Sequence, residues 1–158
     1  MTDNYIGIMI ESLRRKKDVL ADILKLSEEQ SLLLDDPNLE PDTFEKNVNR
    51  KAALIDKLEQ LDIGFESLYD KVKEELESNK EIHKDQIRQM QELIRALTEL
   101  NMQIQAMEAR NKEKATAKFT YIRQQAKEIR SSQKIVKEYY NNMMHKAYNE
   151  PHFLDNKK

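Results

Sequence analysis

The chain has 158 residues, of which 35% are charged and 6% aromatic, with two glycines, three prolines, no cysteine and a formal net charge of −2. That balance excludes a disulfide framework and a thiolate metal site. It also argues against a compact α/β enzyme, because Leu, Lys, Glu, Gln, Ala and Met dominate while strand formers are sparse, the profile of long helices or coiled coil.

The first helix is expected over residues 1–34, capped by Thr2 or Asp3, with Asp3 suited to the positive end of the helix dipole. One seam reads Ile6, Ile10, Leu13, Lys17, Leu20, Leu24, Ser27, Ser31, Leu34. A second stripe, Met9, Val19, Ile23, Leu26 and Leu33, widens the apolar face, as suits a helix that touches two neighbours. Ser27 and Ser31 thin the seam towards its end. The run Asp35-Asp36-Pro37-Asn38-Leu39-Glu40-Pro41 is the clearest break in the chain, since each proline removes an amide donor and disfavours helix in the residue before it. So short a connection makes an antiparallel helix hairpin the default.

The second helix is expected over 42–77, with Asp42 and Glu45 spaced as a capping box. Leu54, Leu58, Leu61, Phe65, Leu68 and Val72 form a heptad seam, and Gly64 sits inside it. From Lys73 to Gln86 the pattern almost disappears, with only Leu76 and Ile82 apolar. Ser78-Asn79-Lys80-Glu81 matches the S-x-x-E capping box, which places a turn near Glu77–Asn79 and the start of a third helix over 79–146. No glycine or proline enforces that turn, and a helix continuous through it satisfies the same pattern.

The third helix carries the stripe Met90, Leu93, Leu97, Leu100, Ile104, Met107, Asn111, then Ala115, Phe119, Ile122, Ala126, Ile129, Gln133, Val136, Tyr140 and Met143, in steps of three and four. At about 1.5 Å per residue it would be about 100 Å long, far longer than either preceding helix. Two consecutive steps of four meet at Asn111, a stutter that locally unwinds a left-handed coil. Charge changes sign at the same place: residues 1–109 hold 15 Lys+Arg against 24 Asp+Glu, whereas 110–158 hold 12 against 5. We therefore expect 80–113 to pack with the first two helices and 115–146 to form a partner-binding arm. Pro151 ends any helix, and 147–158 is expected to be a mobile tail.

No chemistry of catalysis stands out. Neither glycine has a second one near it to build a phosphate loop, and His83, His145 and His152 lie at no metal-ligand spacing. The expectation is no enzyme, no cofactor and no metal. No run of eighteen apolar residues spans a membrane, and the acidic start with charges after the apolar run does not read as a signal peptide, so the chain is expected to be cytoplasmic.

Three features point to binding instead. The apolar face of the arm, Phe119, Ile122, Ala126, Ile129, Val136, Tyr140 and Met143, is suited to a partner helix or to a second copy of the chain. Arg123, Lys127, Arg130, Lys134 and Lys137 run beside it in 4-3-4-3 spacing, a solvated flank or a guide for an acidic partner. Tyr139 and Tyr140 gather, with Tyr148 and Phe153, at an end of a chain otherwise poor in aromatics; such residues either anchor interfaces or pack a tail onto the arm. Nucleic acid is not expected, since it would call for more arginine and a chain positive overall.

The order of two shorter amphipathic helices and one long helix, with Asn47-x-x-Arg50-Lys51-x-x-Leu54-Ile55-x-x-Leu58-x-x-Leu61 in the second and Leu100-Asn101-x-x-Ile104-x-x-x-Glu108-x-x-Asn111 in the third, followed by Ser132-Gln133-Lys134 and Tyr139-Tyr140-x-x-Met143, resembles the FlgN-type flagellar export chaperones over about residues 5–146. The filament-cap chaperone FliT is similar in style. The resemblance implies an all-α protein, an elongated antiparallel helical bundle or coiled coil. It implies clients that are hook–filament junction proteins, bound through their C-terminal helices, kept from early assembly and delivered to the flagellar type III export apparatus. It implies that the client site is the C-terminal amphipathic helix: Phe119, Ile122, Arg123, Ala126, Lys127, Ile129, Arg130, Val136, Tyr139, Tyr140 and Met143. A homodimeric structural coiled coil without a client is the alternative. The end of the chain, Phe153-Leu154-Asp155-Asn156-Lys157-Lys158, has no counterpart in the resemblance.

Overall fold

A computed structural model describes the backbone of residues 2–140 and the side chains of 4–131. It contains three α-helices: α1 (Thr2–Asp35), α2 (Pro41–Ser78) and α3 (Lys84–Tyr140). No strand occurs among the described residues, so the all-α bundle class holds. The expected end of the long helix near Lys146, the tail 147–158 and Met143 lie outside the described residues.

The hairpin between α1 and α2 is built by its prolines and an aspartate. Asp36 Oδ1 accepts a hydrogen bond from the Asn38 amide at 2.8 Å, an Asx turn that reverses the chain. The capping box expected at Asp42 is not what starts α2. Pro41 occupies the first turn, and Glu40, in extended conformation and without a side-chain cap bond, is the capping residue. Its carbonyl accepts from the Thr43 and Phe44 amides. Proline suits that position because its fixed φ is already helical and its missing N–H would have had no partner.

The second expected capping box is also corrected. Ser78 is the last residue of α2, and α3 begins at Lys84 instead of near 79. Asn79 closes α2 by donating its amide to the Glu75 carbonyl at 2.9 Å. His83 explains the longer turn: it is buried, its Nε2 lies 3.3 Å from Glu75 Oε1, and its carbonyl accepts from the Ile87 amide to open α3. The turn is held by docking this ring while its apolar neighbour Ile82 stays exposed.

Contacts divide the chain into two compact units, Met1–Asn111 and Lys112–Lys158. In the first, α2 runs antiparallel to α1. Lys71 lies over the Tyr5 ring, Lys16 pairs with Asp62, and Lys51 donates to Gln30; residue numbers rise on one helix as they fall on the other. Glu75 of α2 meets His83, which immediately precedes α3, and Lys51 of α2 meets Glu108 of α3, so the first part of α3 runs antiparallel to α2 and parallel to α1.

The core belongs chiefly to α1. Of its eleven buried apolar members, seven (Ile6, Met9, Ile10, Leu13, Val19, Leu20 and Ile23) come from α1, against Val72 and Leu76 from α2 and Met90 and Leu97 from α3. Both predicted stripes of α1 are used, because the helix has neighbours on two sides. Lys17 does not continue the seam; it is exposed. The gap between Leu13 and Val19 is partly filled by Lys16, whose ammonium sits 5.9 Å from the Phe65 centroid and pairs with Asp62. The aliphatic stem can cover apolar surface while the charge reaches polar company. The heptad seam of α2, from Leu54 to Leu68, packs against this core but stays half-buried.

Gly64 is exposed, and a Cβ built there meets nothing within 4 Å. Close packing therefore does not require the glycine. Gly64→Ala is expected to raise stability by about 0.5–1 kcal/mol through helix propensity and a less flexible unfolded chain. Urea unfolding followed by circular dichroism checks this; a loss of stability would show that the backbone there needs glycine.

Candidate functional site

The Lys112–Tyr140 part of α3 carries the residues singled out for partner binding, Met143 excepted. At about 100° per residue, Phe119, Ile122, Ala126 and Ile129 fall within an arc of about 80°, one above another on the helix. Arg123, Lys127 and Arg130 occupy the adjoining arc. Phe119, Ile122 and Ala126 are half-buried, and Ile129 is 50% exposed. Arg123 and Lys127 are exposed, and Arg130 is half-buried. Val136, Tyr139 and Tyr140 continue α3, but their side chains lie outside the described residues, as Met143 does altogether.

The same register shows an edge that the sequence reading did not single out. Lys114, Lys118 and Tyr121 border the apolar stripe on the side away from Arg123 and Lys127. Lys114 and Lys118 are half-buried, whereas Tyr121 is largely exposed and accepts a hydrogen bond from Gln125 Nε2 at 2.8 Å. The stripe is therefore flanked by positive charge on both edges in its first turns. An angular plot of the residues from 112 onward carries that signal.

No described side chain from Lys112 to Ser131 is buried. Among the described residues every buried position lies at or before Asn111, where the first unit ends. The second unit thus holds a helix with an apolar stripe and no core of its own among its described residues. An amphipathic face in that condition is suited to burial against an added helix.

No group of three or more His, Cys, Asp or Glu among the described residues could hold a metal ion. An open groove of about 580 Å³ between α1 and α2 is bordered by Asp22, Lys25, Glu29, Arg50 and Lys57. Those five charges of both signs mark a solvated helix–helix edge rather than an enclosed ligand site. No helix among the described residues is long and apolar enough to cross a membrane.

Comparison with known families now adds to the geometry. The family model described as FlgN protein matches residues 1–145, nearly the whole chain. The chain belongs to the FlgN family. FlgN proteins are chaperones of flagellum assembly, an assignment that fits an all-α chain whose conspicuous surface is a helical face. No curated protein and no solved structure matches the chain. The match takes in the first unit and most of the residues of the second.

Proposed function

We propose that this FlgN-family chain is a cytoplasmic export chaperone for hook–filament junction proteins, and that it holds them by their amphipathic C-terminal helices against the stripe Phe119, Ile122, Ala126, Ile129, Val136, Tyr140 and Met143. The observation that carries the reading is the lack of any buried side chain among the described residues after Asn111, although the apolar spacing there is as regular as in the core. Family membership supports the chaperone role.

The mechanism is competition for an apolar face. A filament subunit's terminal helix buries its stripe against its neighbours in the assembled structure. Seated here instead, the same stripe has no surface left with which to assemble. Four to six apolar side chains at about 1.5–3 kcal/mol each supply the gross driving force, and ordering two helices takes much of it back. Binding is then tight enough to shield the client and weak enough to release it at the export apparatus. Arg123, Lys127 and Arg130, with Tyr139 beside the apolar end, would steer an acidic client helix and fix its orientation.

The test uses the full chain and a purified junction-protein C-terminal helix in titration calorimetry. Ile122→Asp/Ile129→Asp should reduce affinity by at least about 100-fold, since two desolvated charges are placed in the interface, while circular dichroism and the melting midpoint stay near wild type. Unchanged affinity would remove the stripe as the site. A dimer whose mass is independent of concentration, and which ignores the helix, would favour the structural coiled coil.

A further inference from the structure

The apolar core of the Met1–Asn111 unit is interrupted near one end by a layer of polar side chains drawn from all three helices. Ser27 and Gln30 come from α1, Asn47 and Lys51 from α2, Glu108 and Asn111 from α3. All but Glu108 are buried. Lys51 Nζ donates to Gln30 Oε1 at 3.0 Å and to Glu108 Oε1, which also accepts from Ser27 Oγ at 2.7 Å. Asn111 Nδ2 donates to the Ser27 carbonyl at 2.8 Å and to Gln30 Oε1 at 3.1 Å, and Asn47 Nδ2 donates to the Leu26 carbonyl at 2.9 Å.

Apolar packing resumes beyond the layer. Leu34 and Phe44 are buried on its far side, towards the α1–α2 connection, and do not belong to the main cluster that ends at Ile23 on α1. Five buried polar side chains therefore interrupt the apolar packing, with Glu108 at their edge. Their hydrogen bonding is incomplete: Asn47 Oδ1 and Asn111 Oδ1 are buried with no hydrogen-bond partner in the protein. Two orphaned acceptors and a buried ammonium lower stability relative to leucines of similar size. What such a layer offers in return is discrimination between alignments.

We propose that this layer is the register key of the bundle. The seams of α1 and α3 repeat leucine, isoleucine and methionine at every turn, so sliding α3 by one turn, about 5.4 Å, would preserve much of the apolar contact. The same slide parts Lys51 from Glu108 and takes Asn111 away from both the Ser27 carbonyl and Gln30. One alignment satisfies the donors, and it sets Asn111 as the last residue of α3 held in the first unit. The key thereby sets how many turns of stripe remain in the second unit, starting from Lys112. This inference stands independently of the client reading.

The test replaces the layer in the full chain with apolar residues: Gln30→Met, Asn47→Leu, Lys51→Met, Glu108→Met and Asn111→Leu together. The expected result is a melting midpoint equal to or above wild type, with duplicated or broadened amide resonances for residues 84–111, or a changed mass by light scattering. A single sharp set of resonances at the wild-type mass would overturn the proposal, because uniqueness would then survive without the key. Should the five-fold variant fail to fold, Asn111→Leu alone decides: exchange broadening confined to α3 supports the key, and an unchanged spectrum overturns it.

Discussion

Leu13→Ala is expected to lower the stability of the Met1–Asn111 unit by about 3–4 kcal/mol, within the range for truncating a fully enclosed leucine. Leu13 is 2% exposed and sits midway along the α1 contribution to the core, flanked by Met9 and Ile10 on one side and by Lys16 and Val19 on the other. Truncation forfeits the transfer free energy of three carbons and leaves a cavity, because helices packed on two sides of α1 cannot both move in to fill it. The effect should appear in urea unfolding as a lower midpoint with an unchanged slope. Ile63→Ala makes the control. Ile63 is 69% exposed on the outer face of α2, so its truncation should fall within about 0.5 kcal/mol of wild type. Equal losses at the two positions would mean that α1 is not the centre of the core.

That centre was legible in the sequence because its signals are local. Two apolar stripes on one helix require two neighbours, and Pro37 and Pro41 enforce the reversal between α1 and α2. The turn before α3 was less legible. Ser78 and Glu81 have the spacing of a capping box, yet the chain turns through 79–83 because burial of His83 beside Glu75 outweighs that local preference. A histidine without a nearby partner in sequence carries no mark of the glutamate eight residues earlier that will receive it.

The polar layer was harder still to read. Ser27 and Asn111 register in a periodicity analysis only as defects, a thinned seam and a stutter. Asn47 and Lys51, and Glu108 and Asn111, are among the residues through which the chain resembles FlgN proteins, but nothing in their spacing says that they meet. The structure brings Lys51, Glu108 and Asn111 together with Ser27 and Gln30, and ties Asn47 to the neighbouring Leu26 carbonyl. The stripe after Asn111 has the opposite character. Spacing alone reveals it, whereas the positive border at Lys114 and Lys118 emerges only when each residue is placed around the helix.

Within the polar layer, Glu108→Ala is expected to cost more than Lys51→Met: about 2–4 kcal/mol against about 1 kcal/mol. Charge count alone would predict equality, since each change removes one partner of the same ion pair. Exposure breaks the symmetry. The Lys51 side chain is 9% exposed and that of Glu108 43%. Without Glu108, a buried ammonium keeps only the neutral Gln30 Oε1, and the Ser27 hydroxyl, wholly buried, loses its acceptor too. Without the Lys51 ammonium, the carboxylate still accepts from Ser27 and remains nearly half open to water, while methionine keeps the stem that packs between α1 and α2. The upper end of the first range is for a fully enclosed pair, and the access of Glu108 to water pulls the expected value below it. Urea unfolding of the two single variants and of Lys51→Met/Glu108→Ala makes the comparison. With both charges gone the stranded cation no longer exists, so the double variant should be more stable than Glu108→Ala alone. If Lys51→Met proves the costlier change, or if the two effects simply add, the ammonium is not held in place by Glu108.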